Sequence, residues 1–170
     1  MATPNTWEAS SPTPRIGNNS VITGNTAADG VISAGGQISI GDGTQVLDNT
    51  ATSDGKAAIN LADGQTLYIG SGAILSGNTS NGVSGSVQAG QNTRINVYTD
   101  ATAYTFINDG TSTAAASSTA DAAPLVADQT VMTKTGAGTL VYGGTGTTDT
   151  FGGTYQQLEG NLIIGHATFG

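Results

Sequence analysis

The chain has 170 residues, of which 36% are hydrophobic, 5% aromatic and 9% charged, with 26 glycines; that length suits one domain, but the apolar supply is thin for a globular core. Twelve acidic residues face four basic ones for a formal charge of −8, and Arg15, Lys56, Arg94 and Lys134 stand singly, which excludes the basic patch a nucleic-acid partner needs and disfavours anionic membrane surfaces. Without cysteine there is no disulfide framework and no Cys-based metal or nucleophile site.

Residues 1–20 read as a polar lead-in or cap. Pro4, Pro12 and Pro14 interrupt any ladder, and Trp7 is placed to fold back over an open end of a core. The opening Met-Ala-Thr-Pro-Asn-Thr-Trp has neither the basic nor the apolar region of a secretion signal, and no stretch approaches the ~20 apolar residues of a membrane span.

From residue 21 to 110 the text becomes short apolar pieces separated by Gly, Asn and Asp. Ile38-Ser39-Ile40, Ile59-Asn60-Leu61 and Ile95-Asn96-Val97 alternate with the period that puts both apolar side chains on one face of a strand. Gly41-Asp42-Gly43, Ser53-Asp54-Gly55, Ala62-Asp63-Gly64 and Asn108-Asp109-Gly110 supply the turn conformations between them. No helical stripe is present.

A phrase recurs from Val21, from Val46 and from Ile74, each time reaching an Asn-Thr pair, at spacings of 25 and 28 residues. That is a solenoid period, and a unit so small buries its apolar face only by stacking on the next copy. Asn25, Asn49 and Asn78 then fall at one corner, either as a stacked ladder or as three independent turn caps. The competing architecture is a run of hairpins in a sandwich. The pieces are shorter than ordinary strands, which favours an all-β, right-handed parallel β-helix, a single-stranded β-solenoid. Residues 111–130 are nearly all Ala, Ser and Thr up to Pro124 and read as a low-complexity loop inserted at a corner.

Residues 131–170 form further coils with the most specific text. Lys134, Thr135, Gly136, Gly138, Thr139 and Leu140 make one phrase, Gly152, Gly153 and Thr154 a second, and Gly160, Leu162, Ile163 and Ile164 a third. This resembles the autotransporter-associated β-strand repeat of bacterial type V secreted passengers, with Leu158-Glu159 standing where the family has a small residue before the glycine. The resemblance covers about the last 35 residues. It implies a parallel β-helix exported through the outer membrane, joined to a membrane β-barrel in the same full-length chain, and displayed at the cell surface as an adhesin-like segment. It implies no particular ligand.

Groups that carry chemistry are scarce. His166 is the sole histidine and lies near the C-terminal end of the sequence, so no His cluster can bind a metal. The Gly runs lack the Lys and helix of a phosphate loop. Asp29, Asp42, Asp54 and Asp63 adjoin glycines, which makes them turn residues first; paired across adjacent coils they are also the basis of the alternative reading, a β-helix enzyme acting on polysaccharide. A self-contained solenoid scaffold is a third reading. The favoured one is non-catalytic surface contact without cofactor or metal, with host or bacterial surface molecules or further copies of the chain as partners. Tyr68, Tyr98, Tyr104, Tyr142 and Tyr155 are its candidate contact residues.

Overall fold

The computed structural model describes residues 15–80, 83–107, 130–143, 149–151, 153–164 and 167–169, with the side chains of 80, 83, 84, 149–151 and 167–169 left aside. Trp7 and the rest of residues 1–14, the insert up to residue 129, the Asn108-Asp109-Gly110 turn, Gly152 and His166 lie outside the described residues.

Each short alternating piece becomes a strand, and each Gly, Asn or Asp between them a corner. The first coil runs through β1 (Arg15–Ile16), β2 (Val21–Thr23), β3 (Thr26–Ala27) and β4 (Ile32–Ser33). The second repeats it as β5 (Ile38–Ile40), β6 (Gln45–Leu47), β7 (Thr50–Ala51) and β8 (Ile59–Leu61). The third has β9 (Thr66–Ile69), β10 (Ile74–Ser76), β11 (Thr79–Ser80), β12 (Val83–Ser84) and β13 (Val87–Ala89). The fourth shows β14 (Arg94–Tyr98) and β15 (Tyr104–Ile107). The fifth has β16 (Val131–Thr135), β17 (Thr139–Tyr142) and β18 (Asp149–Phe151), and the sixth β19 (Thr154–Gln157), β20 (Asn161–Ile164) and β21 (Ala167–Phe169).

Equivalent strands of successive coils pair side by side. Sheet A is β1, β5, β9, β14, β16, β19 and sheet B is β2, β6, β10, β15, β17, β20. Sheet C joins β3, β7, β11 and β12, sheet D joins β4, β8 and β13, and β18 pairs β21. Among the described residues every ladder is parallel except β11 with β12, which turn back on each other. The fold is an all-β parallel solenoid, with the right-handed sense that parallel crossovers take.

One register column of sheet A reads Arg15, Ser39, Tyr68, Asn96, Thr133 and Gln156, so successive coils are 24, 29, 28, 37 and 23 residues long. The recurring phrase is stacked one residue away from the alignment of its first letters. Ile22 pairs Val46 and Val46 pairs Leu75, giving 24 and 29 in place of 25 and 28. A slip of one would have exchanged the two faces of the strand, so the register is set by which residue must point inward.

Inward positions form continuous columns. Ile38, Leu67, Ile95, Met132 and Tyr155 make one, and Ile22, Val46, Leu75, Ile107 and Tyr142 another, which runs out at the 48% exposed Ile164 of the last coil. Ile32, Ile59 and Val87 close the core from sheet D. Each fully buried aliphatic side chain contributes roughly 1.5–3 kcal/mol, and stacking equivalent positions is how a thin supply yields a continuous core.

The corners repeat as strictly as the strands. Asn19 (φ 56°), Gly43 (φ 65°) and Gly72 (φ 71°) occupy one left-handed column after sheet A, and Gly24 (φ 67°), Asp48 (φ 53°) and Gly77 (φ 67°) another after sheet B. Only Gly, Asn and Asp enter this region readily, which is why the text between strands is so restricted.

Candidate functional site

At the corner between sheets B and C, Asn25, Asn49 and Asn78 form one ladder. The Asn25 amide nitrogen donates to Asn49 Oδ1 at 3.0 Å, and Asn49 Nδ2 donates to Asn78 Oδ1 at 3.1 Å. The same oxygens accept the backbone N–H of Asn25 and Asn49, each at 3.1 Å. Asn49 Nδ2 also reaches Ile22 O at 2.9 Å, and Asn78 Nδ2 reaches Val46 O at 2.8 Å. Asn49 and Asn78 are fully buried, where an unmet amide would be costly, so the ladder satisfies the corner's own backbone as well as itself. It terminates where Asn78 Nδ2 donates to Ser86 Oγ at 3.0 Å, beside the β11–β12 hairpin.

A second ladder, not recognised in the sequence, runs along the corner between sheets A and B. Asn18 Oδ1 accepts the Asp42 N–H at 3.0 Å, Asp42 Oδ1 accepts the Ser71 N–H at 2.8 Å, and Ser71 Oγ accepts the Asp100 N–H at 2.8 Å. Its first steps are 24 and 29 residues, the same as in the Asn ladder. Shared spacing was the signal, hidden because the residue type changes at every step. Asp42 is thereby a structural acceptor, as is Asp63, whose Oδ1 takes the Gln91 N–H at 2.8 Å. Among the described residues no group of three or more His, Cys, Asp or Glu is placed to hold a metal.

The repeat phrase of residues 134–162 is a third stacked corner. Lys134 continues an inward column of Ile16, Ile40, Ile69 and Val97, with Gln157 after it. Its side chain is shielded from solvent, and Nζ donates to Thr135 O and Gly136 O, both at 2.7 Å, and to Glu159 O at 3.4 Å. Burial pulls the Lys134 ammonium below its ordinary pKa, and the Glu159 carboxylate opposes that pull. Gly160 (φ 76°) lies over this corner, where any side chain would overlap the carbonyl oxygens of Gly136 and Gly138. Thr139 pairs Asn161 and Leu140 pairs Leu162, with Leu140 buried. Thr154 pairs Val131 on sheet A, and Gly153 is buried beside it.

The tyrosines divide between the two sides of the sheets. Tyr142, expected among the contact residues, is fully buried: it stands two residues from Leu140, on the same inward face, between Ile107 and Ile164. Tyr155 is likewise turned inward beneath Met132 and packs against the core, and burial pushes its pKa up to about 12. Strand parity in Leu140-Val141-Tyr142 already carried the first of these corrections. Tyr68 and Tyr98 do face outward on sheet A, both half-buried, and Tyr104 is 55% exposed on sheet B. Tyr104 stacks on Phe106 with ring centroids 6.3 Å apart.

Sheet B presents the most unusual outer face. One outward column reads Val21, Gln45, Ile74, Phe106, Val141 and Ile163 across all six coils. Val21 and Ile163 are 58% and 50% exposed. The flanking positions of the same parity are Thr23, Leu47, Ser76, Tyr104, the buried Thr139 and Asn161, and none of the twelve is charged. Asp29, Asp42, Asp48, Asp54, Asp63, Asp100 and Glu159 all lie between strands. Among the described residues the acid charge is thus held at the corners, Asp149 in β18 apart, and an uncharged apolar stripe is left on the flat side of sheet B.

No helix among the described residues is long and apolar enough to cross a membrane. No family model, curated protein or solved structure matches this chain.

Proposed function

We propose that the chain is a non-catalytic segment of a surface-displayed autotransporter passenger, a β-solenoid stalk whose flat side makes adhesive contact with other surfaces or other copies. The observation that carries this is the uncharged stripe of Ile74, Phe106, Val141 and Ile163 on sheet B. Ile163 is half exposed and Ile74, Phe106 and Val141 are half-buried, and a contiguous apolar strip that still reaches solvent marks contact sites. Copies carrying −8 repel each other everywhere except on such a face. Six strands at about 4.8 Å by three or four residues at about 3.3 Å make a plane on the order of 300–400 Å². That is below the ~800 Å² per partner of a stable complex, so one contact is weak and adhesion gains its strength from many displayed copies.

The Lys134 to Leu162 text supports export through an outer membrane, with a membrane β-barrel elsewhere in the full-length chain and the cell surface as its location. The turn aspartates that an enzyme would need are occupied at Asp42 and Asp63 by neighbouring backbone N–H groups, which favours scaffold over catalysis.

Two measurements test this. The gene should encode a secretion signal upstream and a membrane barrel downstream; a gene without both would refute the passenger assignment. Cells displaying the chain should clump, and Phe106→Asp with Val141→Asp should abolish clumping while leaving display unchanged. Clumping that survives the double variant would refute the contact face.

A further inference from the structure

Sheet A carries a different outer surface. On coil 3 Tyr68 points out, and beside it in register on coil 4 stands Asn96, with Tyr98 two residues further along the same strand. On coil 5, Thr135 is in register with Tyr98. Tyr68, Asn96, Val97, Tyr98 and Thr135 enclose a groove of about 170 Å³, the size of a single saturated six-membered ring with its hydroxyls.

The spacing of the two tyrosines follows from the coil geometry. One inter-strand step of about 4.8 Å and two residues of about 3.3 Å place their backbones roughly 8 Å apart. Side chains stand nearly perpendicular to a sheet, so the bases of the two tyrosines are separated by about twice the ~3.5–4.0 Å contact distance between carbons. That spacing has room for one ring between them, over Asn96. Tyr98 is held in place by its hydroxyl, which donates to Asp100 Oδ1 at 2.8 Å, so little ordering remains for binding to require. Asn96 and Thr135 add an amide and a hydroxyl suited to ligand hydroxyls.

The surrounding charge narrows the ligand. Asp100, Asp42 and Glu159 all act on the Tyr98 hydroxyl and, with burial, raise its pKa, the hydrogen bond to Asp100 being the largest cause. A phosphate or carboxylate entering beside Tyr98 meets that acidic field. A neutral ligand with apolar ring faces and a hydroxylated rim does not.

We infer that the Tyr68–Asn96–Tyr98 groove on sheet A binds a single neutral pyranose unit of a surface glycan, stacked between the two tyrosine rings. This rests on the surface-contact reading and adds a partner to it, through a face other than sheet B.

The test is a titration of the purified chain with the methyl pyranosides of glucose, galactose, mannose and N-acetylglucosamine, and with the glucuronide, followed by ligand-observed NMR. Saturable binding of at least one neutral pyranoside is expected, weaker binding of the glucuronide, and a loss of roughly tenfold or more in Tyr68→Ala and Tyr98→Ala. Tyr104→Ala, on the other sheet, should bind as the parent does. If an alanine variant fails to fold, Asn96→Leu and Tyr68→Leu replace it, with the melting curve as the check. Absence of saturable binding by every neutral pyranoside, or equal binding by folded Tyr68 and Tyr98 variants, overturns the inference. If clumping through sheet B persists in either case, the contact reading stands and the sugar groove alone is lost.

Discussion

The first three coils and the last two solve one problem in different ways. In both, the chain turns from one sheet to the next and must satisfy corner backbone groups that the strand ladders do not pair. Coils 1–3 use side chains that repeat along the stack, the Asn25, Asn49 and Asn78 amides and the Asn18, Asp42, Ser71 series. Coils 5 and 6 use one long side chain from inside the core, with Lys134 Nζ capping Thr135 O and Gly136 O. A ladder spreads its stabilisation over neighbours and has weak ends. A buried ammonium concentrates it at one residue and carries a desolvation cost. Stability in the first region should therefore grade along the stack, and in the second depend on a single position.

The largest test of that contrast is Asn49→Ala. It removes both ladder bonds at a fully buried site and takes away the acceptor of the Asn25 N–H, for a loss of about 3 kcal/mol. Asn25→Ala, at the exposed end, should cost under about 1 kcal/mol. Hydrogen exchange read coil by coil suits a solenoid, where units can open separately. Equal losses at the two positions would break the graded picture.

Lys134→Ala comes next. Its cavity and the orphaned Gly136 carbonyl should cost about 2–3 kcal/mol, Thr135 O keeping the Thr99 N–H, confined to exchange in coils 5 and 6. Lys134→Met keeps the volume without the charge and should cost less, because no ammonium is then desolvated. A methionine variant worse than the alanine would show that the charge itself is favourable.

Gly160→Ala should destabilise the same corner by about 1–2 kcal/mol, since φ is 76° and the added carbon overlaps two carbonyls. A neutral outcome in denaturant melts would mean the corner can shift.

The smallest expected effect is alkaline. Tyr155 has its pKa raised to about 12 by burial, against about 10 in an unfolded chain. The unfolded chain loses the phenol proton first, so Tyr155 lowers stability as pH rises from about 10 towards 12, and its contribution is intact below 10. Lys134, with a lowered pKa, works in the opposite sense as pH approaches the unfolded Lys value of about 10.4. Tyr155→Phe should remove the alkaline fall in unfolding midpoint for the C-terminal coils and leave coils 1–3 unchanged.

Much of this was legible from particular residues. Triplets such as Ile38-Ser39-Ile40 could bury both isoleucines only as strands, and the Asp-Gly and Asn-Gly pairs marked turns without saying whether a corner or a hairpin follows. The period followed from the Asn-Thr phrase, although aligning Val21 with Val46 missed the register by one. Which residue of an apolar pair such as Val21-Ile22 points inward is decided by the neighbouring coil, and both are equally apolar on paper. Tyr142 could have been placed by its parity with Leu140; the inward turn of Tyr155 depends on Met132, which stands one coil away.

The amino-acid order by itself determined that this chain is a stack of short strands with corners restricted to Gly, Asn and Asp, because local backbone preference and apolar period are short-range properties. It also marked Asp29, Asp42, Asp54 and Asp63 as turn residues by their glycine neighbours. Only the tertiary structure decided that Lys134 is buried, that Asn18, Asp42 and Ser71 form a ladder, and that sheet B presents an uncharged stripe. Each of those depends on residues 22 or more positions apart being placed one strand spacing from each other, and that proximity is created by the coiling.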